Sequence, residues 1–234
     1  MNLVLDQRVL LFDIDGTLLL SGGAGMRALD RAFEKITGSP NGMNDVIPDG
    51  KTDYLIVEEA FRMNFPDMKY GKEETEIILN YYLEFLEEEL INSKNFRLMP
   101  GVPEILDSCR ENDDILLGLA TGNLEKGSEL KLRHADLWDY FKFGGYGSDA
   151  IDRTDVVKAA IQKATAISKE PIELKQIFVI GDTPNDIICA HEAGVKAIGV
   201  GAARYSCREL LHHKPDFLLE DLTSPEDLFR CLYL

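Results

Sequence analysis

The chain has 234 residues, of which 45% are hydrophobic and 28% are charged, and its formal net charge is −16 at pH 7. This length exceeds the common size of about 100–200 residues for one domain but is short for two, which favours one domain with a large insertion. The acidic charge argues against binding to nucleic acid or to an anionic membrane surface, because both require a basic face.

Short apolar runs without polar alternation recur along the chain and predict strands that are covered on both faces. These runs are RVLLF (8–12), ILLGLA (115–120), FKFGG (141–145), IFVI (177–180), AIGV (197–200) and FLL (217–219). Helix-like stretches lie between them, such as residues 154–168, and Ser224 is the predicted N-cap of the last helix. The alternation predicts an α/β fold, with a parallel sheet and helices on both of its faces.

One region interrupts this alternation. From Leu18 to about Arg97 we find no strand pattern, only apolar residues at helical spacing, including a helix at 53–63 and a long acidic helix at about 73–92. We therefore predict an all-helical cap domain at 18–97, inserted after the first strand, and a core domain formed by 1–17 and 98–234. Such a cap would lie over the carboxyl edge of the sheet, where these folds bind ligands.

Two carboxylates, Asp13 and Asp15, follow the first predicted strand. Residues i and i+2 of an extended segment point to the same side, so both would share one face at the end of the strand. Like charges so close repel each other, and their burial without compensation is unfavourable. A hard divalent cation such as Mg²⁺ would compensate them, although an isolated Asp-x-Asp pair is also common in surface turns without a role.

Two further strand ends carry polar groups. Thr121, Gly122 and Asn123 follow ILLGLA and offer a hydroxyl and backbone N–H groups suited to phosphate oxygens, although the threonine alone is also typical of a helix cap. Asp182 follows IFVI and would complete the metal site. Asp186 begins the next helix, where it could bind the metal or cap the helix, and its position favours the cap.

A cation is also expected near these groups. Arg153 stands just before a helix that Thr154 could cap, and Lys158 lies one turn further into that helix. An ordinary basic side chain here would simply be solvated. The position favours Arg153, because a residue before the helix can reach the pocket.

The motifs FDIDGT, ATGN, a basic residue before a helix and IGDTPND occur in this order, each at a predicted strand end. In this order they resemble the four motifs of the haloacid dehalogenase-like hydrolase superfamily, and the insertion at 18–97 is similar to its type 1 helical cap on a Rossmann-like core. The chain looks most like the phosphoglycolate phosphatase and β-phosphoglucomutase branch. Many members carry Lys-Pro at the third motif, where this chain has Arg153-Thr154.

The resemblance implies a Mg²⁺-dependent phosphatase that hydrolyses a small phosphorylated metabolite through an aspartyl-phosphate. Asp13 would be the nucleophile, and Asp15 would act first as general acid and then as general base. The Asp13 carboxylate, the Asp15 backbone carbonyl and Asp182 would hold Mg²⁺. The phosphate oxygens would be held by a hydroxyl, backbone N–H groups and a guanidinium, those of Thr121, Gly122, Asn123 and Arg153.

Four other functions would make different demands on these residues. A dehalogenase would have no need of a general acid at Asp15, and a phosphomutase would differ chiefly in how well its cap excludes water. A phosphonatase would need a Schiff-base lysine in the cap, for which Lys51 in the turn DGKTD (49–53) is the candidate. A non-catalytic phosphate-binding module would be expected to lack one of the three aspartates, and all are present.

The four cysteines show no paired spacing and predict neither a zinc site nor a disulfide framework. No stretch approaches the ~20 apolar residues of a membrane span, and the N-terminus lacks the cationic start of a signal peptide, so we expect a cytoplasmic protein. The expected partner is a small phosphorylated metabolite, with no nucleic acid and no membrane, and the expected assembly is a monomer or homodimer.

Overall fold

A computed structural model describes residues 7–168 and 170–233; the predicted core segment 1–17 therefore includes residues 1–6 that lie outside the described part. The strands are β1 (Arg8–Phe12), β2 (Leu19–Leu20), β3 (Arg97–Leu98), β4 (Ile115–Ala120), β5 (Gly144–Gly145), β6 (Ile177–Gly181), β7 (Lys196–Val200) and β8 (Phe217–Leu219). The helices are α1 (Ala24–Thr37), α2 (Asp53–Asn64), α3 (Lys72–Ile91), α4 (Val102–Arg110), α5 (Glu125–His134), α6 (Arg153–Ile167), α7 (Pro184–Glu192), α8 (Cys207–Leu211) and α9 (Pro225–Tyr233). Among the described residues, every helix is too short or too polar to cross a lipid bilayer.

A six-stranded parallel sheet with the order β5-β4-β1-β6-β7-β8 forms the centre of the fold. The chain moves outward from β1 to β4 and β5 on one side, then continues to β6, β7 and β8 on the other side. The strand order therefore reverses between β1 and β6, and sheets of this kind bind ligands at the carboxyl ends of the strands at such a reversal. The predicted α/β fold with a Rossmann-like parallel sheet is confirmed.

The central strand β1 supplies side chains to both faces of the sheet, because successive strand residues point to opposite sides. Leu10 and Phe12 pack on the face covered by α4 and α9, whereas Val9 and Leu11 pack on the face covered by α6 and α7. All four are fully buried. The full burial of each such side chain contributes about 1.5–3 kcal/mol, so an uninterrupted apolar run is what a strand buried on both faces requires.

The helical insertion, which we define as residues 18–97, has an apolar cluster of its own. Helices α1, α2 and α3 pack around this cluster, in which Phe33 and Phe61 form an edge-to-face ring contact with centroids 5.0 Å apart. The helices expected at 53–63 and at about 73–92 correspond to α2 and α3, and α1 precedes them. The boundaries of a separate cap domain stay a prediction.

The ends of the insertion form a short antiparallel ribbon that the sequence pattern did not reveal. Leu19 pairs with Leu98, and Leu20 pairs with Arg97. The expectation that this region holds no strand is therefore wrong for β2. A strand of two residues is too short to show a hydrophobic period, which explains the omission.

The strand predicted at 141–145 is also shorter than expected, because only Gly144 and Gly145 form β5. A Cβ on Gly145 would overlap the backbone carbonyl of Val156, so the chain approaches α6 this closely only where it lacks side chains. The ring of Phe143 lies over Gly118 of β4, and the backbone groups of Lys142 and Phe143 still form hydrogen bonds with Leu117 and Leu119 of β4, each at 3.1 Å. The edge strand is limited to the glycine pair.

Two helix caps were predicted, and they have different outcomes. Asp227 donates its backbone N–H to Ser224 Oγ at 3.2 Å, which confirms Ser224 as the cap of α9. Thr154 does not cap α6; that prediction is wrong, because Asp152 accepts hydrogen bonds from the N–H groups of Thr154 at 2.8 Å and Asp155 at 3.3 Å. The cap at Asp152, two residues earlier than predicted, places Arg153 at the first helical position.

Candidate active site

Loops at the carboxyl edge of the sheet enclose a cavity of about 190 Å³ between the sheet and the helical insertion. The predicted site residues that line it come from all four motifs and are Asp13, Asp15, Thr121, Gly122, Asn123, Arg153 and Asp182. The insertion also lines the cavity, and its apolar contribution comes from Met26, Leu29, Ile56 and Tyr82. The cavity lies where the strand order reverses.

Asp13 and Asp182 lie close together because β1 and β6 are neighbours in the sheet. Asp13 is 7% exposed and Asp182 is 3% exposed. Burial, followed by the nearby charge of Asp186, raises the pKa of Asp13 to about 7 and that of Asp182 to about 8. The hydroxyl of Thr17 donates to Asp182 at 2.9 Å, but this bond offsets only part of the effect. Deprotonation of this pair is therefore unfavourable unless a cation binds beside it.

Arg153 is a cation that the fold brings to this pair. Its guanidinium lies 3.4 Å from Asp13 Oδ1 and also forms an ion pair with Asp186. Burial acts to lower the pKa of Arg153, but Asp186 and Asp13 together raise it above its usual value. Lys158, the alternative candidate, pairs with Asp155 and has a side chain that is 52% exposed. Arg153 lines the cavity and Lys158 does not.

Asp186 completes a group of three buried carboxylates, because one oxygen from each of Asp13, Asp182 and Asp186 lies within 4.8 Å of the others. Its Oδ2 accepts hydrogen bonds from the N–H of Thr183 at 3.0 Å and from the Thr183 hydroxyl at 2.7 Å, and its Oδ1 binds Arg153. Asp186 thus belongs to the cap of α7. Three carboxylates facing one guanidinium leave an excess of negative charge and of oxygen ligands, which fits a divalent cation.

The loop after β4 presents a hydroxyl to the same place. Thr121 Oγ1 accepts a hydrogen bond from Asn123 Nδ2 at 2.8 Å, so its own hydrogen points elsewhere, and the Thr121 hydroxyl interacts with Asp13. Helix α5 begins at Glu125 and is preceded by Leu124, which makes no side-chain cap. Thr121 is therefore not a helix cap, and it is fully buried at the cavity.

A buried lysine that the sequence did not single out also lines the cavity. The Lys131 side chain is 5% exposed, and its Nζ lies 2.6 Å from Asp15 Oδ2 and 2.6 Å from Asn123 Oδ1. Within the sequence Lys131 is an ordinary helical lysine. The one sequence feature that could have indicated its position is that it shares a face of α5 with two small residues, Gly127 and Ser128. All three residues are buried in the structure.

One loop of the insertion presses against the loop after β4. The first residue of α2, Asp53, accepts a hydrogen bond from the N–H of Leu124 at 2.8 Å and donates its own N–H to the carbonyl of Gly122 at 2.9 Å. A Cβ on Gly122 would overlap the carbonyl oxygen of Lys51, so this close approach requires glycine. Burial raises the pKa of Asp53 to about 6. The sequence indicated a turn here, but not a buried carboxylate.

Known proteins match this chain over most of its length. A phosphoglycolate phosphatase from Aquifex aeolicus is 26% identical over 235 residues, which covers 96% of this chain and 96% of the relative. A protein from Caldanaerobacter subterraneus subsp. tengcongensis, provisionally named pyrophosphatase PpaX, is 25% identical over 212 residues, or 91% of this chain and 90% of the relative.

A solved structure shows the same fold at low sequence identity. The β-phosphoglucomutase from Clostridium difficile superposes with a TM-score of 0.73 and 16% identity, covering 97% of this chain and 97% of that chain. A family model described as haloacid dehalogenase-like hydrolase matches residues 10–200, a range that includes all four motifs at the cavity. The chain therefore belongs to the haloacid dehalogenase-like hydrolases.

Proposed function

We propose that this hydrolase is a Mg²⁺-dependent phosphatase that cleaves the phosphate monoester of a small metabolite through an aspartyl-phosphate intermediate. The observation that carries the proposal is one cavity lined by three carboxylates and a buried guanidinium, those of Asp13, Asp15, Asp182 and Arg153. Family membership supports hydrolytic chemistry. The name of the Aquifex aeolicus relative supports a small phosphorylated substrate.

In the proposed reaction Asp13 is the nucleophile. A bond forms between its carboxylate oxygen and phosphorus while the bond from phosphorus to the leaving oxygen breaks. Asp15 donates a proton to that leaving oxygen and then accepts one from the water that attacks the aspartyl-phosphate, which releases inorganic phosphate. The exposure of the two side chains supports these separate roles. The Asp15 side chain is 40% exposed, whereas the Asp13 side chain is only 11% exposed.

The phosphate oxygens would be held by donors that line one wall of the cavity. The guanidinium of Arg153 lies 3.4 Å from Asp13 Oδ1 and lines the cavity, so it can donate to phosphate oxygens bound next to Asp13. The hydroxyl of Thr121 and the backbone N–H groups that follow it offer further donors at the same wall of the cavity. Such preorganised donors stabilise the charge that develops during phosphoryl transfer.

The carboxylates of Asp13 and Asp182, with the backbone carbonyl of Asp15, would hold the Mg²⁺. When bound, Mg²⁺ neutralises charge on the phosphoryl oxygens and allows an anionic nucleophile to approach them. The fit is supported by the two raised pKa values, because burial and the nearby Asp186 disfavour the charged form of both carboxyl groups, and a bound cation would offset this cost. Asp186 would support the site through Arg153 and the helix cap.

The alternatives make different demands on the same residues. A dehalogenase would leave Asp15 without a proton to transfer. A phosphonatase would need Lys51 as an amine nucleophile, whereas Lys51 forms an ion pair with Glu59. A phosphomutase would use the same groups and return the phosphoryl group to a sugar, so it is separated from a phosphatase by its products.

The test is a screen of the purified protein against phosphorylated metabolites, including phosphoglycolate, sugar phosphates and inorganic pyrophosphate, with Mg²⁺ and with EDTA. We expect Mg²⁺-dependent release of inorganic phosphate from at least one monoester, and none from the Asp13→Asn variant. Isomerised sugar phosphate without phosphate release would establish a mutase instead. Equal rates in Mg²⁺ and EDTA, or full activity of the Asp13→Asn variant, would overturn the proposal.

A further inference from the structure

Three side chains form a closed hydrogen-bonded ring beside the proposed general acid. Lys131 Nζ donates to Asp15 Oδ2 and to Asn123 Oδ1, each at 2.6 Å. Asn123 Nδ2 donates to the same oxygen of Asp15 at 2.8 Å. Each member of the ring therefore contacts the other two, which restricts the rotation of all three side chains.

Lys131 is enclosed between its own helix, α5, and the helices of the insertion. A Cβ built on Gly25 of α1 would lie 3.8 Å from Lys131 Nζ and 3.9 Å from the Tyr82 hydroxyl of α3. The negative charge of Asp53 in α2 also acts on Lys131. A lysine normally samples many rotamers, and this enclosure between α5 and the insertion removes that freedom.

The contacts with Asp15 fall on one of its two oxygens. Lys131 and Asn123 both donate to Oδ2, and no donor among residues 7–168 and 170–233 binds Oδ1. The Asp15 side chain is 40% exposed and lines the cavity. The ring thus holds one oxygen in place and leaves the other to face a bound substrate.

We infer that Lys131 is a positioning residue that, together with Asn123, holds Asp15 so that Oδ1 faces the leaving oxygen of the substrate. This inference rests on the proposed phosphatase function. The proton moves from Asp15 Oδ1 to the leaving oxygen as the phosphorus bond to that oxygen breaks and the bond to Asp13 forms. A proton from the attacking water later returns to Asp15, and Lys131 takes part in neither transfer.

The consequence is a dependence on the leaving group. An alkoxide is a poor leaving group and needs the proton, whereas 4-nitrophenolate leaves without it. Loss of Lys131 should therefore slow the cleavage of alkyl phosphates much more than that of aryl phosphates. A lysine that merely stabilised the fold, or bound the phosphate, would affect both classes equally.

The experiment compares kcat/KM in Mg²⁺ for 4-nitrophenyl phosphate and for the best alkyl phosphate of the metabolite screen, because this parameter includes the step in which the leaving group departs. For Lys131→Met we expect a loss of about 10–100-fold with the alkyl ester and of less than about 3-fold with the aryl ester. The matched control is Lys126→Met in the same helix, where the lysine side chain is 59% exposed, and this variant should retain wild-type values.

A double-mutant cycle tests whether Lys131 acts through Asp15. In an Asp15→Asn background, Lys131→Met should lower kcat/KM by less than about 3-fold more, since the group that it positions is already lost. A full additional loss would mean that Lys131 contacts the substrate independently, and it would overturn the inference. Equal losses with both esters, or no loss with either, would also overturn it.

Thermal unfolding of each variant identifies those that fold, and Lys131→Leu, which also removes the donor, replaces Lys131→Met if the methionine variant does not fold. The leucine variant should show the same preference for aryl esters. Wild-type protein that cleaves neither ester would refute the phosphatase proposal and this inference together. Active wild-type protein with an unchanged leaving-group dependence in the Lys131 variants would refute this inference alone.

Discussion

The backbone N–H of Leu124 donates to the carboxylate of Asp53 at 2.8 Å, which joins the loop after β4 to the first turn of α2. Burial raises the pKa of Asp53 to about 6, although Lys131 and this hydrogen bond act to lower it. A carboxyl group with a higher pKa in the folded state binds its proton more tightly when folded. Its contribution to stability is full below the unfolded pKa of about 4 and is lost as the pH rises through about 6.

The Asp53→Asn variant should remove this pH dependence. Relative to wild type, its free energy of unfolding should rise by about 2–3 kcal/mol between pH 4 and pH 8, because wild-type protein alone must bury a charge at the higher pH. Urea unfolding at pH 4, 6 and 8 measures the difference. The control Asp67→Asn, which removes an exposed carboxyl group, should differ from wild type equally at each pH, and a constant difference for Asp53→Asn would contradict the prediction.

The Asp13→Asn variant should separate catalysis from folding. We expect its turnover of any monoester substrate to fall by at least about 10³-fold, since the amide cannot form the aspartyl-phosphate. Its metal-free stability at pH 8 should equal or exceed that of wild type, because the variant lacks a desolvated charge next to Asp186. Steady-state kinetics and thermal unfolding check both parts, and a large loss of stability would show that the Asp13 charge holds the fold together.

Metal binding should be coupled to proton release. Because the pKa of Asp13 is about 7 and that of Asp182 about 8, both groups must lose protons before they can bind Mg²⁺. The apparent Kd for Mg²⁺ should therefore rise at least about tenfold between pH 8.5 and pH 6.5. Calorimetric titrations in two buffers with different heats of ionisation measure the released protons directly. A pH-independent Kd would argue against these two carboxylates as ligands.

Arg153 and Lys158 form a natural pair of test and control in one helix. Arg153→Ala leaves two buried carboxylates, those of Asp13 and Asp186, without their guanidinium, which should destabilise the metal-free protein by about 3–5 kcal/mol and abolish most turnover. Lys158→Ala removes an exposed lysine and should leave both stability and turnover close to those of wild type. Denaturant unfolding and steady-state kinetics of both variants test this prediction. A loss of turnover in the Lys158 variant alone would show that Lys158, and not Arg153, is the cation that holds the phosphate.

The sheet was predictable to within one or two residues at most strands because burial on both faces leaves a continuous apolar run in the sequence. RVLLF matches β1 and ILLGLA matches β4. The ribbon formed by Leu19–Leu20 left no such pattern, since its pairing with β3 joins positions far apart in the chain. Short elements held by distant partners are therefore the part of this fold that local patterns cannot reveal.

The same contrast applies to the cavity. Asp13, Thr121 and Asp182 immediately follow strands, and parallel strands deliver the residues at their carboxyl ends to one edge. Lys131 and Asp53 lie within helices instead, and they reach the cavity only because α5 and α2 pack against each other's neighbouring loops. That packing depends on the whole fold. The local sequence around Lys131 and Asp53 therefore does not indicate that either residue lies at the cavity.

The ribbon of β2 and β3 brings the two ends of the helical insertion side by side, with Leu19 opposite Leu98. Because the two ends of the insertion are adjacent, another segment with adjacent ends could replace it, by natural recombination or by cloning, without altering the register of the six-stranded sheet. The side chains that the insertion contributes to the cavity can therefore change while the carboxyl ends of the strands stay where they are.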